Sequence, residues 1–230
     1  MIISGTKLVG GKYITNSLVI NGLTMWLDAN STSSYSGSGT TWYDISGNGA
    51  DVTLVNTPTY TSGTPSYFTF ASASNQSATG STSNVLPQTQ YTKSMWFYLN
   101  SYADNNIISS ESGGHFMYMA GSNKMYSGHT NWGVYSAYPS TANFSLSTWY
   151  YAALTFNTTD GMVLYVNGVQ DSTYTANKTA HSGDGSVNVG RFGAGNFMNG
   201  RVAESYCYNR SLSAGEILQN YNASKSKYGL

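Results

Sequence analysis

Charge is scarce in this chain: Asp, Glu, Lys and Arg make up 9% of its 230 residues, against about 25% in an average globular protein. The polar surface must therefore be built mainly from Ser, Thr, Asn, Gly and Tyr. Ten basic residues balance ten acidic ones. No Lys/Arg cluster supplies the positive footprint that a phosphate backbone needs, which argues against nucleic acid as a partner. Cysteine occurs once, as Cys207, so no internal disulfide framework is available. In Ser205-Tyr206-Cys207-Tyr208 it reads as a strand residue with a buried, inert thiol. No stretch approaches the roughly 18 apolar residues of a membrane span, and no membrane partner is expected. Met1-Ile2-Ile3-Ser4-Gly5-Thr6-Lys7 lacks the charged start and apolar run of a secretory signal, which predicts a protein made and used without export.

Catalytic signatures are missing as well. There is no Gly-x-Ser-x-Gly elbow, P-loop or dinucleotide fingerprint, and the Gly-rich Arg191-Phe192-Gly193-Ala194-Gly195 reads as a turn between strands. The three histidines, His115, His129 and His181, lie far apart in sequence and form neither a metalloprotease helix nor a zinc spacing. Each reads as a surface or loop residue.

What the chain has is strand signal. At this length one β-sandwich or barrel accommodates the whole chain. Residues 1–21, rich in Gly, Lys, Ile and Val, read as an extended arm able to dock on a neighbour, and residues 22–230 as the domain. It opens with Leu23, Met25 and Leu27 alternating toward one face and Trp26 toward the other. Residues 29–41 are nearly all small and polar and read as a loop. Trp42-Tyr43-Asp44-Ile45-Ser46-Gly47-Asn48-Gly49 reads as a fixed turn in which Asp44 bonds nearby amides. Strand-forming runs recur at residues 51–55, 66–70, 93–99, 105–109, 115–120, 149–156, 162–166 and 186–190, the spacing of an antiparallel sandwich. Asn167-Gly168 between β-formers predicts a hairpin with a type I′ turn. One helix is expected, where Ser213 and Glu216 have capping-box spacing and Ile217 and Tyr221 share an inward face. Twenty tyrosines and zero net charge favour an associated state, since Tyr is enriched at interfaces and weak charge repulsion permits self-association.

Five segments in order carry a resemblance. They are Gly22-Leu23-x-x-Trp26-Leu27-Asp28, then Trp42-x-Asp44-x-Ser46-Gly47-Asn48-Gly49, then Ser147-Thr148-Trp149-Tyr150 leading into Leu164-Tyr165-Val166-Asn167-Gly168. Gly200-Arg201-Val202-Ala203-Glu204 follows, and last Tyr208-Asn209-Arg210-x-Leu212-Ser213-x-x-Glu216-Ile217. Together they resemble the laminin-G-like jelly rolls of the concanavalin A-like lectin superfamily. The resemblance covers about residues 22–230 and implies an all-β fold of two packed antiparallel sheets with one short helix near the C-terminus. The ending from Gln219 to Leu230 resembles that of such domains in structural proteins of tailed bacteriophages.

The resemblance also frames the chemistry. Glycoside hydrolases of this superfamily place carboxylates as Glu-x-Asp-x-x-Glu on one strand. None of Glu111, Glu204 and Glu216 begins that pattern, so the reading is non-enzymatic, and Glu204, near Arg201, reads as an ion-paired or hydrogen-bonded structural residue. Related domains hold calcium with loop oxygens, so a structural calcium is the cofactor implied. Asp44, Asp51, Asp160 and Asp184 are loop carboxylates, yet each stands singly and reads first as a turn residue bonded to its own backbone.

Sugar binding would need an exposed aromatic ringed by hydroxyls and amides. Trp132 in Gly128-His129-Thr130-Asn131-Trp132-Gly133-Val134-Tyr135, with Tyr35, Tyr102 and Tyr138 in other polar stretches, are the candidates. Trp26, Trp42, Trp96 and Trp149 fall at strand or family-like positions and read as core, and Trp132 carries both readings. Two functions follow from the resemblance. The leading one is a virion structural protein, a capsid decoration or cement protein assembled in the host cytoplasm. Its partners would be the major capsid protein, other virion proteins and further copies of itself as a homo-oligomer. The alternative is a carbohydrate-binding module or tail-fibre domain that recognises a cell-surface glycan.

Overall fold

Apolar residues that alternate at period two can be hidden by laying two sheets face to face. The computed structural model describes residues 6–9, 12–15, 17–103, 105–110, 114–131, 134–176 and 178–230, and these take that form. The front sheet runs, in spatial order, Val134–Pro139, Met125–Asn131, His115–Met119, Asn105–Ser109, Asn188–Val189, Ser77–Gly80, Val52–Val55 and Thr41–Trp42. The back sheet runs Val169–Tyr174, Gly161–Val166, Trp149–Asn157, Gln90–Leu99, Gly200–Tyr208, Tyr67–Phe70 and Thr59–Thr61, and Leu23–Asp28 also pairs with Gly200–Tyr208. All these pairings are antiparallel. The all-β two-sheet jelly roll expected from the sequence is the fold observed.

Between the sheets lie Phe68, Phe70, Met95, Phe97, Ile108, Met117, Met119, Leu154, Phe156 and Leu164, all fully buried. The outward face of the back sheet has its own apolar layer, in which Trp96, Tyr151 and Tyr206 meet Ile217 and Tyr228. That layer is capped by the helix Ala214–Ser224 and the 3-10 turn Lys225–Tyr228. Trp96 stacks on Tyr228 with ring centroids 3.8 Å apart and planes 10° from parallel, and its indole N–H donates to Ser224 Oγ at 2.8 Å. The capping box forms as expected: Ser213 caps the Glu216 amide and Glu216 reaches back to the Ser213 amide. Arg210 pairs with Glu216 through both nitrogens, and that pairing, with the Ser213 bonds and against some burial, holds the Glu216 carboxyl down at about 2.

The start of the chain is tied to the same cap. Val19 N–H donates to Asn220 Oδ1, and Val19 C=O accepts from the Tyr208 hydroxyl, both at 2.9 Å. Upstream, Thr6–Val9 and Lys12–Thr15 pair with each other as a separate two-stranded sheet. The Asn-Gly hairpin is present, with φ of 51° at Asn167 and 79° at Gly168, the positive values that a type I′ turn requires. Gly168 is needed twice over, because a Cβ there would sit 2.9 Å from the Tyr221 ring.

The turn at residues 42–49 is organised by Asp44. Its Oδ1 accepts from the amides of Trp26 and Ser46, and its Oδ2 from the Ser46 hydroxyl and the Ala50 amide, at 2.7–3.1 Å. Two expectations need correction, that for the histidines and that for residues 125–139. The histidines are not surface or loop-exposed residues: His115, His129 and His181 are at most 1% exposed and converge inside the sandwich, brought together by strand pairing and loop closure that sequence distance conceals. Glu204 is the ion-paired and hydrogen-bonded structural residue expected. The Glu204 carboxylate turns under the C-terminal cap, where Lys227, Tyr206, Tyr228 and Asn30 all donate to it, while Arg201 lies over the rings of Tyr67 and Tyr98. Finally, Met125–Asn131 and Val134–Pro139 are strands where no strand was assigned; their apolar residues are diluted by Ser, Gly, His and Thr, and Ser127 and His129 are buried nonetheless.

Replacing Asp44 with alanine removes one acceptor that serves four donors, so stability should fall by about 2–4 kcal/mol, measured as a lower urea midpoint with an unchanged slope. A fall of less than about 0.5 kcal/mol, the size of an ordinary surface substitution, would show that water replaces Asp44 at no cost.

Candidate functional site

The helix and C-terminal turn cover the outward face of the back sheet, while no α-helix among the described residues lies over the outward face of the front sheet. Its composition follows from alternation along two strands. In His115–Met119, Met117 and Met119 point into the core, so Phe116 and Tyr118 point out. In Met125–Asn131, Met125 points in, so Tyr126 and Gly128 point out. Cross-strand register then sets Phe116 opposite Gly128 and Tyr118 opposite Tyr126.

These rings form a continuous patch. Tyr118 and Tyr126 stack at 5.6 Å and 27°, and Phe116 meets Tyr118 edge-on at 5.7 Å. Phe192 comes from the loop after Asn188–Val189 and meets Phe116 edge-on at 6.2 Å. That loop is pinned by the Ser109 hydroxyl donating to Arg191 C=O and by Asn106 Nδ2 donating to Asn196 C=O at 3.4 Å. Phe116 is the floor at 1% exposure, while Tyr118, Tyr126 and Phe192 are half-buried and show part of their rings to solvent. Gly128 makes room for the floor: a Cβ there would meet Phe116 at 3.2 Å and Ser136 C=O at 1.8 Å.

Phe116 is also one member of a row of directly opposed residues that crosses the sheet as Thr53, Thr79, Asn188, Ser109, Phe116 and Gly128. Of the polar members of this row, Thr53 is exposed and Thr79 half-buried, whereas Ser109 and Asn188, nearer Phe116, are fully buried, and no charged side chain stands in the row. A neutral ligand with alternating apolar C–H faces and hydroxyls suits such a surface. The C–H face packs on the electron-rich face of a ring, and the hydroxyls exchange hydrogen bonds with uncharged polar groups.

The aromatics singled out from sequence are placed differently. Tyr35 is 7% exposed and packed among Tyr60 and Phe68 in the core, its hydroxyl donating to Gly39 C=O, so it offers no free ring face. Tyr102 packs against the core and donates to Phe144 C=O. Tyr138 stacks on Tyr174 at 4.3 Å and 17°, a clasp between an edge strand of the front sheet and an edge strand of the back sheet. Trp132 lies outside the described residues. The residues that form the patch were missed, although Phe116-Met117-Tyr118-Met119 carries the signal: a strand apolar at every position has a second apolar face to account for.

Elsewhere, a shallow cleft of about 460 Å³ runs beside the helix start, lined by Thr155, Asn157, Asp160, Tyr165, Arg210 and Glu216 among others. Its carboxylates are already engaged, Asp160 with Asn157 and Glu216 with Arg210. Among the described residues, no group of three or more His, Cys, Asp or Glu is arranged to hold a metal ion. The loop carboxylates proposed for calcium serve their own turns: Asp51 accepts from the Asp44 amide and Asp184 from the Ser186 amide. Cys207 is buried and its thiol is pushed up by that burial, which leaves it unreactive.

The sequence profile of the concanavalin A-like lectin/glucanases superfamily, laminin-G type, matches residues 62–218, more than half of the chain. The chain belongs to this superfamily. No curated protein sequence matches it. Among solved structures, the binding domain of Paraclostridial Mosquitocidal Protein 1 is similar at 16% identity and a TM-score of 0.71, with 89% of this chain and 52% of that one covered. The binding domain of botulinum neurotoxin DC in complex with SialylT is similar at 14% identity and a TM-score of 0.69, with the same coverage. This chain therefore spans about half the length of those toxin domains. Domain 4 of AbnA, an extracellular arabinanase of Geobacillus stearothermophilus, in complex with arabinotriose, is similar at 15% identity and a TM-score of 0.66, over 86% of this chain and 98% of that domain. At these identities the likeness is one of fold.

Gly128→Ala tests how the patch is built. A methyl group 1.8 Å from a backbone carbonyl must push the neighbouring strand away, at a cost of about 1–3 kcal/mol. Thermal unfolding should show that loss, and hydrogen exchange should rise in Met125–Asn131 and Val134–Pro139. An unchanged melting temperature would mean the strand pair is looser than described.

Proposed function

We propose that the chain is a non-catalytic carbohydrate-binding domain that recognises a neutral glycan through the outward face of its front sheet. The observation that carries this reading is the uncharged, part-exposed ladder of Tyr118, Tyr126 and Phe192 over Phe116 on the outward face of the front sheet. Superfamily membership supports it, and so does the likeness over nearly its full length to a domain solved with arabinotriose. Low charge supports it further, since selectivity for a neutral sugar is served by hydroxyls and rings rather than by ion pairs.

A glycan array probed with the intact protein and with Tyr118→Ala and Tyr126→Ala tests the reading. Each ring is part-exposed, so its loss should leave the fold intact, as checked by circular dichroism. Binding to the recognised glycan should fall about tenfold or more, equivalent to about 1.4 kcal/mol. No glycan bound by the intact protein, or binding indifferent to both substitutions, overturns it.

Display on a phage particle, as capsid cement or within a fibre, is the second reading. Its supporting observation is the hairpin Thr6–Val9 and Lys12–Thr15, which pairs with neither sheet and whose lysines give residues 1–21 a positive charge. Deleting residues 2–16, which spares the bonds of Ser17 and Val19 to the C-terminal cap, should weaken attachment to particles while the domain stays folded. Equal attachment of the truncated protein removes this reading. The structural neighbours named above are toxin binding domains and a sugar-bound domain, which favours the glycan reading.

A further inference from the structure

Directly behind the aromatic patch, on the inward side of the same two strands, sits a cluster that the glycan reading does not use. His115 and His129 are cross-strand neighbours on His115–Met119 and Met125–Asn131. His181, from the segment at residues 178–187, inserts with its ring centroid 6.0 Å from each of them. From the back sheet, Lys93 donates to His115 Nδ1 at 3.1 Å, and the Tyr91 hydroxyl meets His129 Nδ1 at 3.2 Å. All five side chains are at most 1% exposed.

The hydrogen bonds fix the resting protonation. His115 Nε2 donates to Ser186 C=O at 3.0 Å, so its Nδ1 is bare and able to accept from Lys93. His181 Nε2 donates to Leu86 C=O, and its backbone amide donates to Gln88 C=O. The segment is further stitched in by Ser182 N–H to Thr130 C=O and Leu86 N–H to Gly185 C=O. A neutral His115 therefore joins three elements: the front sheet, the back sheet through Lys93, and the 178–187 segment through Ser186.

We propose that the three histidines and Lys93 form an acid-sensitive latch between the sheets, which holds the glycan-binding strands at neutral pH and loosens them on mild acidification. The regulatory part of this proposal rests on the glycan reading; the latch itself does not. Protonating His115 at Nδ1 exchanges an acceptor for a donor facing Lys93. The pair accommodates one shared proton, and a second creates two cations about 3 Å apart in a dry core. The surroundings give little relief. Facing the cluster are Tyr91 and Lys93 on one strand, Cys207 beside Lys93 on the next, and Asp184 near His181. The bonds of His115 and His181 run to Lys93 and to the backbone carbonyls of Ser186 and Leu86. Burial and then the neighbouring positive groups push His115 well below the ordinary histidine value; burial lowers His181, and burial lowers Lys93 well below the ordinary lysine value.

The sign follows by linkage. A depressed histidine stays neutral when folded and takes up a proton once unfolded. Its stabilising effect is whole above the ordinary histidine value of about 6.5 and is lost as pH falls below it. Lys93 acts with the same sign over its own, higher window. Glu204, whose carboxyl burial holds above its usual range, has the opposite sign because its folded form takes up the proton at a higher pH than its unfolded form, so it cannot produce the effect.

The test is urea unfolding of the intact protein from pH 7.5 to 5.0, with hydrogen exchange read at residues 115–119, 125–131 and 178–187. The unfolding equilibrium constant should rise about tenfold per pH unit for each histidine that must charge, with exchange rising first in those three segments. His115→Asn, which keeps an acceptor near the Nδ1 position, and His181→Asn should each flatten the slope. If His115→Asn does not fold, His181→Asn and the slope of the unaltered protein still decide. A flat profile, or acid loosening that begins elsewhere, overturns the latch. Tyr118→Ala should abolish glycan binding and leave the slope unchanged. A normal slope in a protein that binds no glycan at any pH would therefore refute the glycan reading and uphold the latch.

Discussion

Burial of the strand Gln90–Leu99 on both faces is the constraint on which the rest of the structure depends. It pairs along nearly its whole length with Trp149–Asn157 on one side and Gly200–Tyr208 on the other, so its backbone is satisfied and each alternate side chain must find cover. Inward go Tyr91, Lys93, Met95, Phe97 and Leu99; outward goes Trp96. Trp96 recruits the C-terminal helix and turn by stacking on Tyr228. The inward residues recruit the front sheet, by dispersion at one end and through Lys93 and His115 at the other. Once the helix is committed to the back sheet, the front sheet's outward face is left without an α-helix over it, and its part-exposed rings are the candidate site.

The same economy of charge shapes both layers. Where a charged group is buried it is used to fasten segments: Glu204 gathers Lys227, Tyr206, Tyr228 and Asn30 at the C-terminal end, and burial with the Glu204 carboxylate raises the Tyr206 and Tyr228 hydroxyls far above their ordinary range. Burial alone would lower Lys227, but the carboxylates of Glu204 and Asp28 more than offset it. On the open face the polar groups are hydroxyls and amides, which suit a ligand that is itself neutral and rich in hydroxyls.

Local signals were legible in the sequence because their causes are local. Asn167-Gly168, the Ser213–Glu216 box and the Asp44 turn each depend on a few adjacent residues, and each has the geometry its residues dictate. The strand at residues 105–109 was bounded correctly, and most others to within a residue or two, because β-branched and aromatic runs stop at Gly, Asn and Ser. What the sequence concealed is long-range. Three histidines separated by more than a dozen residues meet only after two sheets close, and Glu204 meets Lys227 and Tyr228 because the C-terminal turn, more than twenty residues on in sequence, folds back over it. The aromatic patch escaped notice because Phe116, Tyr118 and Tyr126 look like core residues until their strands' inward positions are filled by methionines.

The central claim is that the open face of the front sheet is where a sugar sits. Titrating the protein with a neutral oligosaccharide while following the ring resonances of its tyrosines and phenylalanines by NMR locates the contact directly. The account predicts shifts confined to Phe116, Tyr118, Tyr126 and Phe192 and to the backbone of the strands that carry them. Shifts centred instead on Tyr165 and the cleft beside Arg210, or on none of these rings, would contradict it.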